Sequence, residues 1–269
     1  MLYRQDFLTG LLSNMKNVFL KAARLLRLAA YDFKAKYAGS ALGVLWAVSE
    51  PIVTVLVYWF VYSVAFGAEN FDVPYYLWLS VGIAPWFFID GGIRGTAACF
   101  RDYSYLVKKM HFDVKILPAV RCVSGLFSHL IFMVIVVILC AIEGIHLSGV
   151  IYILPIMIFA WIFVYSAGRI LALISARYRD ILNVLGISLN IGFWLTPIFW
   201  NVNGVSDKLY DIIMLNPVAI LVESYRDALI LGRTLNAERF LYLGVFCAVM
   251  LIAGGICEKY HIKNIADSL

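Results

Sequence analysis

The sequence predicts an all-α integral membrane protein with six transmembrane helices. Three observations carry this prediction: 63% of the 269 residues are hydrophobic, only 14% are charged, and the apolar residues are gathered into runs of about the length that crosses a bilayer. Soluble domains carry about 25% charged residues, so neither a soluble enzyme nor a nucleic-acid-binding protein is expected. The length suits about six spans and no large soluble domain.

The N-terminal segment, residues 14–33, is predicted to form a basic amphipathic helix. Apolar residues such as Phe19 and Phe33 recur on one face, and Lys21 and Arg24 lie on the opposite face. Such a helix suits the surface of an anionic cytoplasmic leaflet. Two interpretations stay open: the helix anchors the chain to lipid alone, or its polar face also contacts a cytoplasmic partner. The first apolar span begins far from the N-terminus, so no cleavable signal peptide is expected.

Six apolar runs are predicted to cross the membrane. A crossing helix needs about 20 residues, and the second, fifth and sixth runs are at the short end of that range. Lysine and arginine are unevenly divided between the segments outside these runs, with seventeen on the side of both termini and four on the other. This excess predicts that both termini are cytoplasmic. The predicted spans are residues 44–66, 75–93, 116–142, 148–174, 184–200 and 240–257.

The first span carries a carboxylate toward the hydrocarbon. The uncharged run Ile52–Phe66 is too short to cross, so the helix must begin near Leu42 or Val44 and include Glu50 and Pro51. A carboxylate at the bilayer centre costs about 2.5–3.5 kcal/mol, and less near the edge. Something in the fold or the function must therefore make Glu50 tolerable.

Aromatic side chains are concentrated in the first and fifth spans. Tryptophan and tyrosine near span ends usually form interfacial belts, but some of these residues lie deeper. Flat aromatic faces suit sliding contact with sugar rings, and lipid contact or core packing is the alternative interpretation. With Glu50 and Pro51, the candidate channel residues in these two spans are the aromatic residues Tyr58, Trp59, Tyr62, Phe193 and Trp194.

Residues 94–115 form the largest internal cytoplasmic loop and mix aromatic with basic residues. A loop that only joins two spans has little need for aromatic side chains in water, whereas a short helix pressed into a partner's groove uses them as anchors. Contact with the membrane interface, where tyrosine is enriched, is the alternative. The candidate docking residues are Phe100, Tyr103, Tyr105, Lys108, Lys109 and Phe112.

Residues 201–239, on the other side of the membrane, are neither plainly polar nor long enough to span. A helical run follows Asn216-Pro217 and ends at Gly232, because glycine is a common C-terminal stop. Its mixture of apolar and charged residues predicts a re-entrant or interfacial helix on the exit side. An ordinary amphipathic surface helix is the alternative. The candidate exit-side residues are Asn216, Pro217, Glu223, Tyr225 and Arg226.

The motifs of an enzyme are absent from the sequence. No Gly-Lys pair occurs, so the chain cannot form the GxxxxGK[ST] phosphate-binding loop and is not expected to hydrolyse ATP. No HExxH, GxSxG or DxD pattern appears, the four histidines are scattered, and the five cysteines form no CxxC pair. No catalytic residue, metal site or bound cofactor is therefore predicted for this chain.

Six groups of short segments lie along the chain in a recognisable order. They are Asp32-Phe33-Lys34, Lys36-Tyr37, Gly39-Ser40, Leu42-Gly43, Leu45-Trp46 and Pro51; Tyr76-Leu77, Gly82 and Pro85-Trp86-Phe87-Phe88; Leu106-Val107-Lys108-Lys109, Phe112 and Ile116-Leu117-Pro118; Arg177-Tyr178-Arg179-Asp180; Thr196-Pro197-Ile198-Phe199; and Asn216-Pro217, Glu223, Tyr225-Arg226 and Gly232. In this order they resemble the type-2 ABC exporter family, whose permeases move polysaccharides, O-antigens and teichoic acids. The similarity covers roughly residues 30–260. This chain has Asp113 where the family usually has proline, so the local turn is expected to differ there.

The resemblance implies a permease subunit that pairs with itself and with two copies of a separate cytoplasmic ATPase, which would bind ATP and Mg. It implies that the region Phe100–Phe112 is the coupling helix and that the N-terminal helix is the interface helix of the family. The segment Asn216–Gly232 would lie near the outer exit, and Glu50 and Pro51 would shape the channel entrance. The expected cargo is a lipid-linked polysaccharide, exported across the bacterial inner membrane by a multi-pass protein in contact with membrane lipids.

Other classes stay open at this stage. An ABC permease of the same architecture that exports a drug or a lipid is the nearest alternative. A secondary transporter is disfavoured, because Glu50, Asp90, Arg121 and Arg169 form no line of charges through the midplane and no internal repeat is evident. A membrane glycosyltransferase would need a nucleotide or metal-carboxylate site. A structural scaffold would leave the aromatic loop at residues 94–115 unexplained.

Overall fold

The structure, a computed structural model, describes residues 2–65, 73–108, 113–234, 236–262 and 265. Within these ranges every regular element is helical. The helices are α1 (Leu2–Tyr37), α2 (Trp46–Trp59), α3 (Tyr75–Asp102), α4 (Ser104–Val107), α5 (Ile116–Ile142), α6 (Val150–Arg177), α7 (Asp180–Leu195), α8 (Asp207–Met214), α9 (Pro217–Leu229) and α10 (Ala237–His261).

Five helical stretches in the described ranges are long and apolar enough to cross a bilayer. These stretches are Gly43–Val64, Tyr75–Asp102, Ile116–Ile142, Leu147–Arg177 and Ala237–His261. They confirm the predicted class, an all-α integral membrane protein. Their bounds differ from the predicted ones chiefly because α3 and α10 continue beyond the apolar runs into charged sequence.

The predicted fifth span, residues 184–200, corresponds to a shorter helix. Helix α7 begins earlier, at Asp180, and ends at Leu195 after 16 residues. It therefore measures about 24 Å, against about 30 Å of hydrocarbon. Irregular chain continues from Thr196, and the prolyl ring of Pro197 removes a backbone donor there. The count of six spanning helices stays a prediction.

Helix α1 extends well beyond the predicted residues 14–33. The chain turns at Gly39, whose φ of +82° lies in the left-handed region that glycine adopts without steric cost. The last turns of α1 pack on α5, where the rings of Phe33 and Phe127 meet edge-on at 5.8 Å. A short 3-10 turn, Gly43–Leu45, leads into α2, and Phe60–Ala65 wind as a π-helix at its other end.

Helix α3 runs through the middle of the bundle. Its residues from Leu77 to Phe100 are mostly buried, and it packs on α2, α5, α6, α7 and α9. The end of the bundle where α1 contacts α5 is called the basal end below, and the end that holds α9 is called the apical end. Helix α3 runs from the apical end to the basal end, so most other elements are positioned by contact with it.

Glycines allow α3 and α6 to approach each other closely. A β-carbon at Gly168 of α6 would lie 2.5 Å from Cβ of Thr96, and one at Gly92 of α3 would lie 2.6 Å from Cγ1 of Val164. Small residues at helix crossings in membranes bring the backbones together and increase van der Waals contact. The α3–α6 crossing therefore depends on these two positions.

Replacement of Gly168 by valine is expected to lower the unfolding temperature. The added side chain has to displace Thr96 in a packed core, and overpacking of this kind typically costs about 1–3 kcal/mol. The matched control is Gly255→Val in α10, where a β-carbon meets no atom within 4 Å. Size-exclusion chromatography of heated, detergent-solubilised protein measures the difference. Equal unfolding temperatures for the two variants would contradict the packing described here.

Candidate functional site

A cavity of about 780 Å³ lies in the basal half of the bundle, between α1, α2, α3, α5 and α7. Its lining divides into ionic groups and aromatic rings. The charged lining residues are Asp32, Lys36, Glu50, Asp90, Arg94 and Arg121, and the aromatic ones are Tyr58, Trp86, Phe87, Phe193 and Trp194. Below, this space is called the mixed cavity.

Glu50 and Pro51, which the sequence predicts at a channel entrance, lie on the first half of α2. The Glu50 side chain is exposed and lines the mixed cavity, whereas Pro51 is buried. Arg94 pairs with Asp90 at 2.9 Å. In the part of the chain that the structure describes, no ion pair involves Glu50 or Lys36. The mixed cavity therefore presents one carboxylate and one ammonium group without a protein counter-ion.

Aromatic rings from α2 and α7 meet above the ionic groups. The ring of Tyr58 lies 5.8 Å from Phe193 and is stacked on Phe199 at 6.1 Å, and Tyr62 lies 5.6 Å from Phe199. Trp194 contacts Phe199 edge-on at 4.9 Å. Four of the five aromatic residues predicted for the channel, Tyr58, Tyr62, Phe193 and Trp194, therefore belong to one cluster.

Trp59 does not join this cluster. It lies on another side of α2 and lines a separate apolar groove with Tyr76 and Phe132. The cause is helical geometry, because adjacent residues on a helix point about 100° apart and so cannot share a face. The grouping of Trp59 with Tyr58 is corrected accordingly.

A polar cluster joins α1, α3 and α5 at the basal end. Arg121 of α5 contacts Asp32 of α1 at 3.2 Å and Asp102 of α3 at 2.5 Å, and its guanidinium lies over the ring of Tyr103 at 4.9 Å. The Tyr103 hydroxyl donates a hydrogen bond to the buried Asp32 carboxylate. Burial and this hydrogen bond raise the pKa of the Tyr103 hydroxyl above its ordinary value, so it stays a donor.

The predicted docking residues of the loop at residues 94–115 separate into three groups. Tyr105 is 61% exposed and Lys108 is exposed, so both are accessible to a partner. Tyr103 is engaged with Asp32 inside the chain. Phe100 is only 1% exposed and packs in a second core cluster with α5 and α6, so its interpretation as a surface anchor is corrected. The positions of Lys109 and Phe112 lie outside the described residues.

Helix α9 is enclosed by protein. The side chain of Asn216 accepts a hydrogen bond from the backbone N–H of Val218, and Pro217 occupies the first helical position, a common pair of start signals. Nine residues of α9 are buried, among them Tyr225 and Arg226. These two residues therefore belong to the core and do not line an open exit surface. This enclosure fits a re-entrant helix better than an exposed surface helix.

Arg226 supports the irregular chain that follows α7. Its guanidinium donates to the carbonyl oxygens of Pro197 at 2.6 Å and Ile198 at 2.7 Å, and it pairs with Glu223 at 2.6 Å. The same group lies 3.3 Å from the centre of the Trp78 ring. A β-carbon at Gly82 would lie 2.4 Å from its Nη2, so glycine is needed there. Arg226 thus satisfies carbonyl groups that no helix partner satisfies.

Several residues that line or adjoin the mixed cavity were not among the predicted site residues. Lys36, Arg94 and Arg121 flank apolar runs in the sequence. Their charge at the boundary of a span is the feature that could have identified them as cavity residues. Buried His129 lies between its two partners, with Nδ1 3.2 Å from the Ala84 carbonyl oxygen and Nε2 3.0 Å from the Tyr225 hydroxyl. A histidine within an apolar run gave no indication of these partners.

Together the ionic groups of the cavity, the enclosed helix α9 and the five apolar stretches long enough to span define a multi-pass α-helical membrane protein with an internal cavity of mixed polarity. The chain belongs to the ABC-2 type transporter family, whose profile matches residues 24–230. This confirms the resemblance seen in the sequence segments.

Curated relatives match nearly the whole chain. The O-antigen export system permease protein RfbA of Myxococcus xanthus is 25% identical over 248 residues, which cover 91% of this chain and 95% of the relative. The protein of the same name from Klebsiella pneumoniae is 25% identical over 235 residues, which cover 86% of this chain and 89% of the relative. Both are permeases of an O-antigen export system by name.

Proposed function

We propose that this chain is the transmembrane subunit of an ATP-driven exporter that moves a lipid-linked polysaccharide. It works as a homodimer with two copies of a separate ATPase, which bind ATP and Mg, while this chain binds neither and carries no catalytic residue. The protein lies in the bacterial inner membrane with both termini and the basal end on the cytoplasmic side.

The observation that carries the proposal is the composition of the mixed cavity. Rings such as Tyr58 and Phe193 offer flat apolar faces to this cavity. The Glu50 carboxylate, which has no ion-pair partner among the described residues, can accept hydrogen bonds from hydroxyl groups. A glycan presents both apolar C–H faces and hydroxyl groups, so the cavity matches it on both counts. The names of the relatives, permeases of O-antigen export systems, support the same cargo class.

The ATPase would dock at the short helix α4 and the chain on either side of it. Tyr105 and Lys108 supply the exposed contacts, and the neighbouring Tyr103 joins the same segment to Asp32 and Arg121. A movement of α4 on ATP binding would therefore be transmitted to α1 and α5, two of the helices that line the mixed cavity. Coupling requires this difference in contacts between two states.

The double variant Tyr105→Asp, Lys108→Glu is expected to lose the ATPase and to stop export. A charged group at an aromatic anchor, together with reversal of a neighbouring charge, removes the docking contacts without touching the buried core. Co-purification of the chain with the ATPase from its own operon measures binding. Surface glycan in cells lacking the chromosomal copy measures export.

The matched control is Tyr260→Asp, which changes a tyrosine that is also exposed and near the basal end of α10. It is expected to keep both ATPase and export. If the wild type retained no ATPase, the ATP-driven mechanism would be rejected. If deletion of the chain left surface glycan unchanged, a drug- or lipid-exporting permease would replace the polysaccharide exporter.

A further inference from the structure

A pocket of about 230 Å³ lies at the basal end of the bundle, between the last turns of α6 and α10. Within the described chain it shares no lining residue with the mixed cavity. Polar side chains line its basal side and mostly apolar ones line the part further inward. The space, called the basal pocket below, is lined by Arg177, Tyr178 and His261 at its polar side and by Ile170, Leu173, Ile174 and Cys257 further inward.

The inner wall of the basal pocket is packed protein. Leu173 belongs to the second core cluster, and Cys257 packs against that cluster. The guanidinium of Arg101 in α3 donates to the carbonyl oxygens of Ser175 at 2.6 Å and Ala176 at 3.3 Å, so the last turn of α6 is fixed beside the pocket. The basal pocket is therefore part of the folded bundle and needs no ligand to form.

The polarity of the basal pocket follows that of a phospholipid. Arg177 and His261 are the last residues of two stretches long enough to cross a bilayer, so they stand at the level of the lipid headgroups. From Ile170 to Arg177 helix α6 rises about 10 Å, at about 1.5 Å per residue, and the inward part is apolar. A phospholipid has the same order, with its phosphate at the surface and its acyl chains toward the bilayer centre.

Exposed apolar side chains flank the basal pocket. Ile174 lines it and is exposed, and Ile256 of α10 is exposed beside the lining residue Cys257. On helices that cross a bilayer, side chains of this kind are as apolar as the lipid chains around them. The basal pocket therefore adjoins a surface that suits acyl chains, which a soluble anion would not cover.

Basic residues are concentrated at the ends of α6 and α10. In the ranges that the structure describes, no ion pair involves Arg177, Arg179 or Lys259. The carboxylate of Glu258 is directed to Arg169, at 3.2 Å, and so is already paired. Basic pockets between spanning helices near the membrane surface bind anionic lipid headgroups. The charge of the basal pocket therefore favours an anionic ligand over a zwitterionic one.

We propose that the basal pocket binds one anionic phospholipid, with its phosphate beside Arg177 and an acyl chain against Ile170 and Ile174. The unpaired basic groups account for the anionic headgroup, and the apolar part accounts for the acyl chain. Helix α10 packs chiefly on α6, so a lipid that contacts both helices strengthens the attachment of α10. The proposed site takes a membrane lipid and depends on neither the cargo nor the ATPase.

Native mass spectrometry of the purified full-length chain tests the proposal by measuring the dissociation constant of the first bound lipid. The probes are phosphatidylglycerol and phosphatidylcholine with the same acyl chains, which differ in the net charge of the headgroup. We expect phosphatidylglycerol to bind about fivefold more tightly, because attraction by one basic residue near an anionic headgroup gives about that factor. We also expect it to raise the unfolding temperature more than phosphatidylcholine does.

Four variants, each at an exposed residue, separate the headgroup contact from the acyl-chain contact. Arg177→Gln is expected to bind both lipids equally, whereas Arg177→Lys keeps the charge and most of the preference. Lys259→Gln removes a charge from the end of α10 outside the pocket and is expected to bind as the wild type does. Ile174→Trp occupies the apolar part and is expected to weaken the binding of both lipids. Its control is Ile256→Trp, which does not line the pocket and is expected to change neither.

Three results would overturn the assignment. Equal affinity of the wild type for the two lipids would show that no headgroup is recognised. Equal losses in Arg177→Gln and Lys259→Gln would show diffuse attraction to surface charge. Unchanged affinity in both Arg177→Gln and Ile174→Trp would place the lipid elsewhere, and loss of the ATPase from the same two variants would assign the pocket to a protein interface. No cargo or ATPase enters the lipid measurement, so its failure leaves the proposed export function standing.

Discussion

Replacement of Arg226 by methionine is expected to abolish the folded protein in the membrane. Arg226 is 4% exposed, and its guanidinium donates to two carbonyl groups of the chain after α7 and pairs with Glu223. Methionine would leave the two carbonyl oxygens and the mostly buried carboxylate without their partner. Removing one partner of a buried ion pair costs about 3–5 kcal/mol, and two unsatisfied carbonyls add to that cost. This is a large part of the stability of an ordinary domain.

The conservative variant Arg226→Lys separates charge from geometry. A lysine keeps the charge beside Glu223, but its single ammonium cannot reproduce the planar contact with Trp78 and the paired donation to the carbonyls of Pro197 and Ile198. We therefore expect partial folding. The exposed Arg233→Met is the control and is expected to accumulate like the wild type. The yield of monodisperse protein from membranes is measured for all three variants. A normal yield for Arg226→Met would contradict the conclusion that Arg226 supports the chain after α7.

Replacement of Arg121 by methionine is expected to detach α1 from α3 and α5 and to stop export. Among the described residues, the change leaves the buried Asp32 with the Tyr103 hydroxyl as its one remaining partner, at a cost of about 3 kcal/mol. It also removes the cation that holds Asp102 at the start of the docking segment. Because this cluster joins α4 to the cavity wall, export is expected to fall more than ATPase binding does.

The double variant Arg121→Met, Asp32→Asn distinguishes stability from coupling. A neutral amide at position 32 needs no counter-ion, so the unfolding temperature is expected to recover in part. Export is expected to stay low, since the link from α3 to α1 is still absent. Arg27→Met, at an exposed arginine of α1, serves as the control. Full recovery of export in the double variant would show that the cluster acts on stability alone.

The all-helical membrane class and the place of Glu50 followed from apolar run lengths and from one charge that a spanning helix had to include. The contact between Tyr58 and Phe193 could also be anticipated, because both residues belong to aromatic groups in predicted spans. The face that each helix directs toward the interior could not be predicted. A spanning helix is apolar all round, so periodicity does not separate Trp59 from Tyr58 or reveal that Phe100 is buried.

The buried position of Arg226 lay beyond the sequence for a different reason. Its partners are carbonyl oxygens of an irregular segment about thirty residues away, and its stacking ring belongs to α3. No local pattern encodes such contacts. The sequence indicated a charged helix of uncertain depth, and only the tertiary packing distinguishes a re-entrant helix from a surface helix.

The unequal burial of the helices around the mixed cavity determines where the protein is rigid. Helix α3 is fixed by contacts on almost every side, whereas Leu185 is the single buried residue of α7 in the described chain and α2 has three. Local stability follows buried contact, so displacing α2 or α7 costs less free energy than displacing α3. The wall of the mixed cavity formed by α3 therefore stays in place, whereas the walls formed by α2 and α7 are easier to displace. Movement of these two helices changes the width of the cavity and leaves the packing of the core intact.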